Sequence, residues 1–416
     1  MAKESRFKRA WHAFRSVYFA PINSISSYAT PNQADFGVTV NADSALKFTA
    51  VYAAIKILSE NVAALPKSVL KANKNGYVEA KKHPAYKLLK TEPNGYTDNF
   101  AFWFSMIADL EGKGNAFSVI ERNQDGDPVA LHHVSPDYVT ISMVNGRKVF
   151  IVNHPNPAFR FLNGTYLDFE MLHIMLFTED GIWGIDPIVY NAAAIGRGIA
   201  TQKFSAEFYR RGGNIKGTLE TDQVLGDDAY KRFMDHYNAS KNFDTPLLEY
   251  GIKYKAVGIT PVAAQLIQSE TLSIQDIARI FSIPPHLLAE LSHATFSNIE
   301  QQNIFFASYS LRPLCKRIEQ QIECKLFTSD EQGTYSVKFD LKGMMRGDDA
   351  ARANYYSQGI NNGWMTPNEA RKQEGYPALP GLDRPRVPLN YDEIDSNGNR
   401  ISTDEEPATK NNDAKK

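Results

Sequence analysis

Nine histidines and two cysteines are the side chains from which this 416-residue chain could build a metal centre or a nucleophile, and their spacing supports neither. His132-His133 falls in a strand pattern, where successive side chains point to opposite faces and cannot chelate one ion. His173 interrupts the apolar run Met171 to Phe177 and reads as a satisfied core histidine in a buried strand. Cys315 and Cys324 share one helical pattern, about 13.5 Å of rise apart and half a turn out of phase, so no disulfide joins them and both are expected as buried free thiols. Gly112-Lys113-Gly114 lacks the upstream glycine and following hydroxyl of a phosphate-binding loop. HExxH, GxSxG and dinucleotide fingerprints are missing. The acidic pairs Asp227-Asp228 and Asp348-Asp349 stand at expected helix starts, where the helix dipole accounts for them. The expectation is a protein with no catalytic residues, no metal and no cofactor.

With chemistry set aside, the bulk composition decides what remains. Lys and Arg number 46 against 47 Asp and Glu, a formal charge of −1, which argues against tight nonspecific DNA binding through many phosphate contacts. Hydrophobic residues make up 43% and charged residues 22%, ordinary globular usage for two or three domains. No apolar run reaches the roughly 18 residues of a spanning helix, so no membrane is expected. Lys3, Arg6, Lys8, Arg9 and Arg15 are interleaved with aromatics and no apolar core follows, so this is not a secretory signal and the chain is expected to stay in the cytosol. Phe7, Trp11, Phe14 and Tyr18 recur at helical spacing in this basic arm, which reads either as an arm for a membrane or a partner or as a helix docked on its own protein.

Patterning then sets the elements. Residues 21–40 read as a linker. Val51, Ile55, Leu58, Val62 and Leu65 mark a helix that Pro66 ends. A strand from Lys67 to Ala72 with a turn at Asn75-Gly76, helices at Tyr86 to Leu89 and Phe100 to Glu111, and strands alternating with turns at Asp125-Gly126 and Asn145-Gly146 follow, up to Phe177. Together they make a mixed α+β region. Asp186 is expected to cap one long helix from Pro187 to Arg211. Ala193, Gly196, Gly198 and Ala200 give it a small-residue character, and two interior glycines, each costing about 1 kcal/mol against alanine, imply close approach of another backbone. A small module with a strand near Thr218, a helix from Asp227 to Ser240 and a strand pair containing Gly251 to Val257 separates this helix from a second, running from Pro261 to Pro284-Pro285. Ser297-Asn298-Ile299-Glu300 has capping-box spacing before a long helix to Phe327 that Pro313 should kink. After a strand near Tyr335 to Leu341, helices are expected from Asp348 to Gly359 and, with a second capping box, from Thr366-Pro367-Asn368-Glu369 to Gly375.

The ordered series Val51-Tyr52-Ala53 to Leu65-Pro66, His83-Pro84 with Leu88-Leu89, Glu92-Pro93-Asn94, Gly114-Asn115-Ala116-Phe117, Gly181-Ile182-Trp183-Gly184, Ile277 to Pro285, Thr295 to Glu300 and Thr366 to Glu369 resembles the portal proteins of tailed double-stranded DNA bacteriophages, over about residues 45–390. Three departures stand out: Ser282 where the family commonly has glycine, and Phe117 and Phe296 where tyrosine is common.

The resemblance implies an α+β portal fold assembling as a dodecameric ring at one capsid vertex of the virion, built in the host cytoplasm, through which double-stranded DNA is packaged and ejected. It divides the chain into a basic arm and linker (1–40), an α/β wing (41–185), stem helix 1 (186–212), a small α/β clip (213–259), stem helix 2 (260–290), a tunnel loop (291–297), a long kinked helix and wing strand (298–345), a helical crown (346–390) and a disordered tail (391–416). His293, Thr295, Phe296 and Asn298 would line the channel constriction, where a polar, charge-poor loop lets phosphate slide without strong ion pairs; an ordinary surface turn before a capped helix is the alternative. Ala193, Gly196, Gly198 and Ala200 would pack stem helices in the ring. Implied partners are the terminase large subunit, the head–tail adaptor or head-completion protein and the major capsid protein. The competing readings are a minor capsid or head–tail adaptor protein, normally shorter, and a cytosolic α/β hydrolase or nuclease, whose site is not found.

Overall fold

The computed structural model describes residues 24–25, 32–34, 37–74, 76–210, 217–220, 226–240, 253–256, 262–289, 296–341, 349–385, 393–394 and 400–401. The chain forms two units, Met1–Leu341 and Lys342–Lys416, each described by itself.

In the first unit, α1 (Thr49–Ala64) buries Val51, Ile55, Leu58 and Val62, the stripe that the sequence shows, and Leu65 leaves the helix in an extended conformation because Pro66 follows. β1 (Lys67–Asn73) and β2 (Gly76–Glu79) form an antiparallel hairpin with Asn73 opposite Gly76; Asn75 lies outside the described residues. α2 (Pro84–Lys90) starts on His83, whose Nδ1 accepts from the Ala85 amide. α3 (Asn99–Lys113) is capped by Asp98, packs its Trp103, Met106, Ile107 and Leu110 against α1, and is closed by Gly114 in the left-handed region.

Six strands follow, each paired antiparallel: β3 (Asn115–Arg122), β4 (Pro128–Val134), β5 (Val139–Val144), β6 (Arg147–Val152), β7 (Gly164–Leu167) and β8 (Met171–Met175). β3 lies between β8 and β4, and its first six residues are all buried, because the sheet is covered on both faces. β5, β6 and β7 form the neighbouring sheet, whose outer edge is joined by Ser24–Ile25. Phe117, Val134, Ile141, Phe150, Met171 and Trp183 make the core between them; each such side chain stabilises the fold by about 1.5–3 kcal/mol on burial. The stretch 21–40, expected as a linker, thus contributes a strand, and Asn32–Ala34 pairs with Val38–Val40.

The expected single helix from 187 is two pieces. Asp186 accepts from the Ile188 and Val189 amides and caps only the turn Pro187–Tyr190; Asn191 (φ −103, ψ 26) then breaks the geometry before α4 (Ala192–Arg210). β9 (Gly217–Glu220), α5 (Asp227–Ser240) and β10 (Lys253–Ala256) make the expected small module, with β9 and β10 antiparallel. α6 (Val262–Ile280) returns alongside α4. α7 (Phe296–Phe305), a π-helical stretch Phe306–Leu311 and α8 (Arg312–Leu326) form the long helix, so the irregularity expected from Pro313 is taken up in the six residues before it. Ser297 lies inside α7, one turn position beyond its start, and is not its N-cap. Cys315 is buried on α8 but Cys324 is exposed, correcting the expectation of two buried thiols. β11 (Tyr335–Phe339) closes the unit by pairing with β1.

In the second unit α9 (Asp349–Asn361) is followed by α10 (Pro367–Gln373), whose capping box is complete: Thr366 accepts from the Glu369 amide at 3.2 Å and Glu369 accepts from the Thr366 amide at 2.8 Å. Within the stretch expected to be disordered, Glu393–Ile394 pairs with Arg400–Ile401. The basic arm at residues 3–15 lies outside the described residues.

Candidate ring and channel elements

The root of α4 is fixed by a backbone-to-backbone contact. A Cβ on Gly114 would fall 2.1 Å from the Ile185 carbonyl oxygen, and one on Gly184 would fall 2.1 Å from the Gly114 oxygen. Asn115, fully buried, completes the seam: its amide donates to the Gly184 carbonyl at 2.7 Å and its Oδ1 accepts from the Gly184 amide at 2.8 Å. The same Oδ1 lies 3.1 Å from His173 Nε2, so that nitrogen carries the proton, and Nδ1 has no hydrogen-bond partner among the described residues. His173 stacks on Phe117 at 4.4 Å, and burial, reinforced by Lys148 and Lys325, holds its pKa well below the ordinary value. It is a neutral core histidine with one nitrogen satisfied. Two glycine motifs that are distant in sequence are therefore two halves of one contact, directly preceding the Asp186 cap.

From that root, α4 and α6 run antiparallel and are laced by polar contacts. Arg197 pairs with Asp276, which also receives Arg279 at 2.6 Å, and the Ser205 hydroxyl donates to Glu270 at 2.6 Å. Asp276 thus holds one arginine from each helix. Of the small residues on α4, Ala193 is exposed, Gly196 and Gly198 are buried and Ala200 is half-buried. Gly198 is explained within the chain: a Cβ there would sit 2.7 Å from the Phe48 ring, so a side chain, not another backbone, fills the space. Ala193 and Ala200 share a face of the helix and Gly198 does not.

Two residues past the end of α6, Ser282 has a φ of +53, the left-handed conformation that glycine adopts without strain. This is the physical reason a glycine suits this position. Ser282→Gly is expected to raise stability by up to about 1 kcal/mol, read as a higher denaturant midpoint at unchanged slope.

Where the α+β body meets the turn before α4, the end of α6 and α8, a partly open cleft of about 420 Å³ is lined mostly by apolar side chains, with Asn191, Ser282 and Ser310 and two charged groups, Glu111 and Arg317. Glu111 is 7% exposed. Burial pushes its carboxyl up to about 8, against the pull of Arg317. Arg317 is held by the carbonyls of Met175, at 2.5 Å, and Leu176. Sequence reading missed Glu111, although Trp103, Ile107 and Glu111 recur at i, i+4, i+8 and place a carboxylate on the buried stripe of α3.

The channel candidates divide. Phe296 and Asn298 lie in the first turn of α7, while His293 and Thr295 lie outside the described residues. Among the described residues no three metal-binding side chains cluster, and no helix is long and apolar enough to cross a membrane.

The family model for phage portal proteins matches residues 49–375. The chain belongs to the phage portal protein family. It is 28% identical to the portal protein of Enterobacteria phage HK97 over 360 residues, covering 83% of this chain and 82% of that one. To the probable portal protein of Streptomyces phage phiC31 it is 31% identical over 374 residues, 86% and 81% of the two chains. Solved structures share the portal fold. One is an HK97 family phage portal protein from Corynebacterium diphtheriae, with a TM-score of 0.54 at 16% identity over 72% of this chain and 95% of that one. Another is the neck of a native gene transfer agent particle computed with twelvefold symmetry, with a TM-score of 0.56 at 18% identity over 86% and 96%. The mixed α+β architecture of the present chain is the fold these structures share with it.

Proposed function

We propose that this portal chain assembles as a ring of twelve at one capsid vertex of a virion and acts as a conduit for double-stranded DNA, without catalysis of its own. The observation that carries this reading is the antiparallel α4–α6 pair, rooted in the body at Gly114 and Gly184 and enclosing the β9–α5–β10 module. In it, α4 and α6 are the stem, the module between them the clip, the α+β body the wing, residues 291–297 the tunnel loop and 346–390 the crown. His293, Thr295, Phe296 and Asn298 line the constriction, and Ala193 and Ala200 face the neighbouring stem. The clip receives the terminase large subunit during packaging and the head–tail adaptor or head-completion protein afterwards, and the wing meets the major capsid protein. The pairing of Arg197 and Arg279 with Asp276 reduces the free positive charge that would hold passing phosphates.

Native mass spectrometry of the purified full chain tests this. A complex of about twelve copies is the expected result; a monomer at micromolar concentration overturns it.

A further inference from the structure

Three breaks within or at the ends of helices face this cleft. Asn191 breaks the path between the turn Pro187–Tyr190 and α4. Ser282, at φ +53, lies two residues past the end of α6. The π-helical stretch Phe306–Leu311 parts α7 from α8. Tyr190 and Asn191, Phe281 and Ser282, and Tyr309 and Ser310 all line the cleft wall.

Each interruption carries a cost in hydrogen bonding or backbone strain, and such features persist where the fold uses them. Here they are also linked. The Ser310 hydroxyl donates to the Ser282 carbonyl, joining the π-helical stretch to the end of α6. Asn191 donates to the Pro187 carbonyl at 2.8 Å, holding the break at the root of α4. Across the cleft the body is rigid by comparison: Leu58 belongs to the fully packed face of α1, and Arg317 is pinned by two carbonyls. Close-packed interiors resist displacement because no volume is free to receive it. The cleft is partly open, so this resistance is low on the side that the three helix breaks line.

We infer that this cleft is the joint about which the α4–α6 pair turns against the α+β body, with residues 190–191, 281–282 and 306–311 as its three hinge points. It rests on the portal reading only in making the stem the element that moves. A turn there changes the inclination of every stem to the ring axis, and so the width of the channel, while leaving the Gly114–Gly184 seat intact. Hinges of this kind are a few element-terminal residues that absorb the backbone change.

Hydrogen exchange read by mass spectrometry on the full-chain assembly tests the joint, and native mass spectrometry of the same sample reads the ring separately. Amides of 188–192, 280–284 and 306–311 are expected to exchange at least tenfold faster than those at the centres of α4, α6 and α8. Leu58→Phe and, independently, Leu314→Phe fill the cleft from α1 and from α8. Either variant is expected to slow all three segments together by at least threefold, with the ring mass unchanged. Wild-type protection at the three breaks equal to that of the helix centres overturns the joint, and so does a filled variant that slows only the segment it touches. Should one variant fail to fold, the other and the wild-type comparison decide. Absence of a ring with the concerted slowing intact sinks the portal reading and leaves the joint standing.

Discussion

Gly114→Ala is expected to cost about 2–6 kcal/mol, several times the cost of a glycine replacement where space is free. Two independent penalties add at this residue. Its φ of +72 is strained for any L side chain, worth about 1–3 kcal/mol. The new Cβ would also lie 2.1 Å from the Ile185 oxygen and 2.6 Å from its carbonyl carbon, and backbone on both sides cannot yield as a side-chain tip could. Gly126→Ala supplies the control, since it shares a positive φ of +93 but has nothing within 4 Å of the added carbon. It should cost only about 1 kcal/mol. Urea denaturation of both variants checks this: a Gly114→Ala loss no larger than the Gly126→Ala loss would show that the seam between the body and α4 is not tight.

The second large effect concerns two buried charges whose titrations act in opposite directions. Glu111 has its carboxyl raised by burial from 4.5 to about 8, so the folded state holds a proton that the unfolded chain has released. Its contribution is fully present below about pH 4.5 and is lost as pH rises through about 8. By pH 7 the loss amounts to about 3 kcal/mol at most. Glu111→Gln keeps the shape without the titration. It should therefore be more stable than wild type by about 1–3 kcal/mol at pH 7, with the gap closing toward pH 4.5.

Lys67 runs the other way. It is 3% exposed, its ammonium donates to the Ala63 carbonyl at 2.7 Å and lies over the Trp103 and Phe339 rings, and burial lowers its pKa to about 8. The unfolded chain binds the extra proton between about 8 and 10.5, so this residue's penalty is present below 8 and is relieved as pH rises. Lys67→Met should be more stable than wild type at pH 7 and should lose that advantage as pH rises from 8 to 10. Denaturation midpoints of the three proteins from pH 5 to 10 check both signs, and pH-independent differences would contradict them.

Much of this architecture is legible in the sequence because strong local rules wrote it. The α1 stripe ending at Pro66, the Thr366 capping box and the alternation of strands with Gly turns are each decided within a few residues. What escaped reading depends on pairs that are distant along the chain. Gly114 and Gly184 look like two separate turn signals until Asn115 is seen to bond across both. Gly198 suggests a neighbouring backbone, yet the group that fills its space is Phe48, which nothing local predicts. Asn191 breaks what periodicity reads as one helix, because apolar residues before it and small residues after it continue the pattern. Pro313 announces an irregularity in the long helix but not its form, which is the π-helical turn before it. Glu111 escapes because a charge at the end of a helix is usually solvated, and here it is 7% exposed on the cleft that α8 also lines.

In the proposed ring the paired helices surround a channel. Cryo-electron microscopy with particle averaging of the assembled full chain tests it most directly. The account predicts about twelve copies, with α4 and α6 of each copy around the central opening and residues 291–297 nearest the axis. A ring with α4 and α6 at its outer rim, or particles with no central opening, would contradict it.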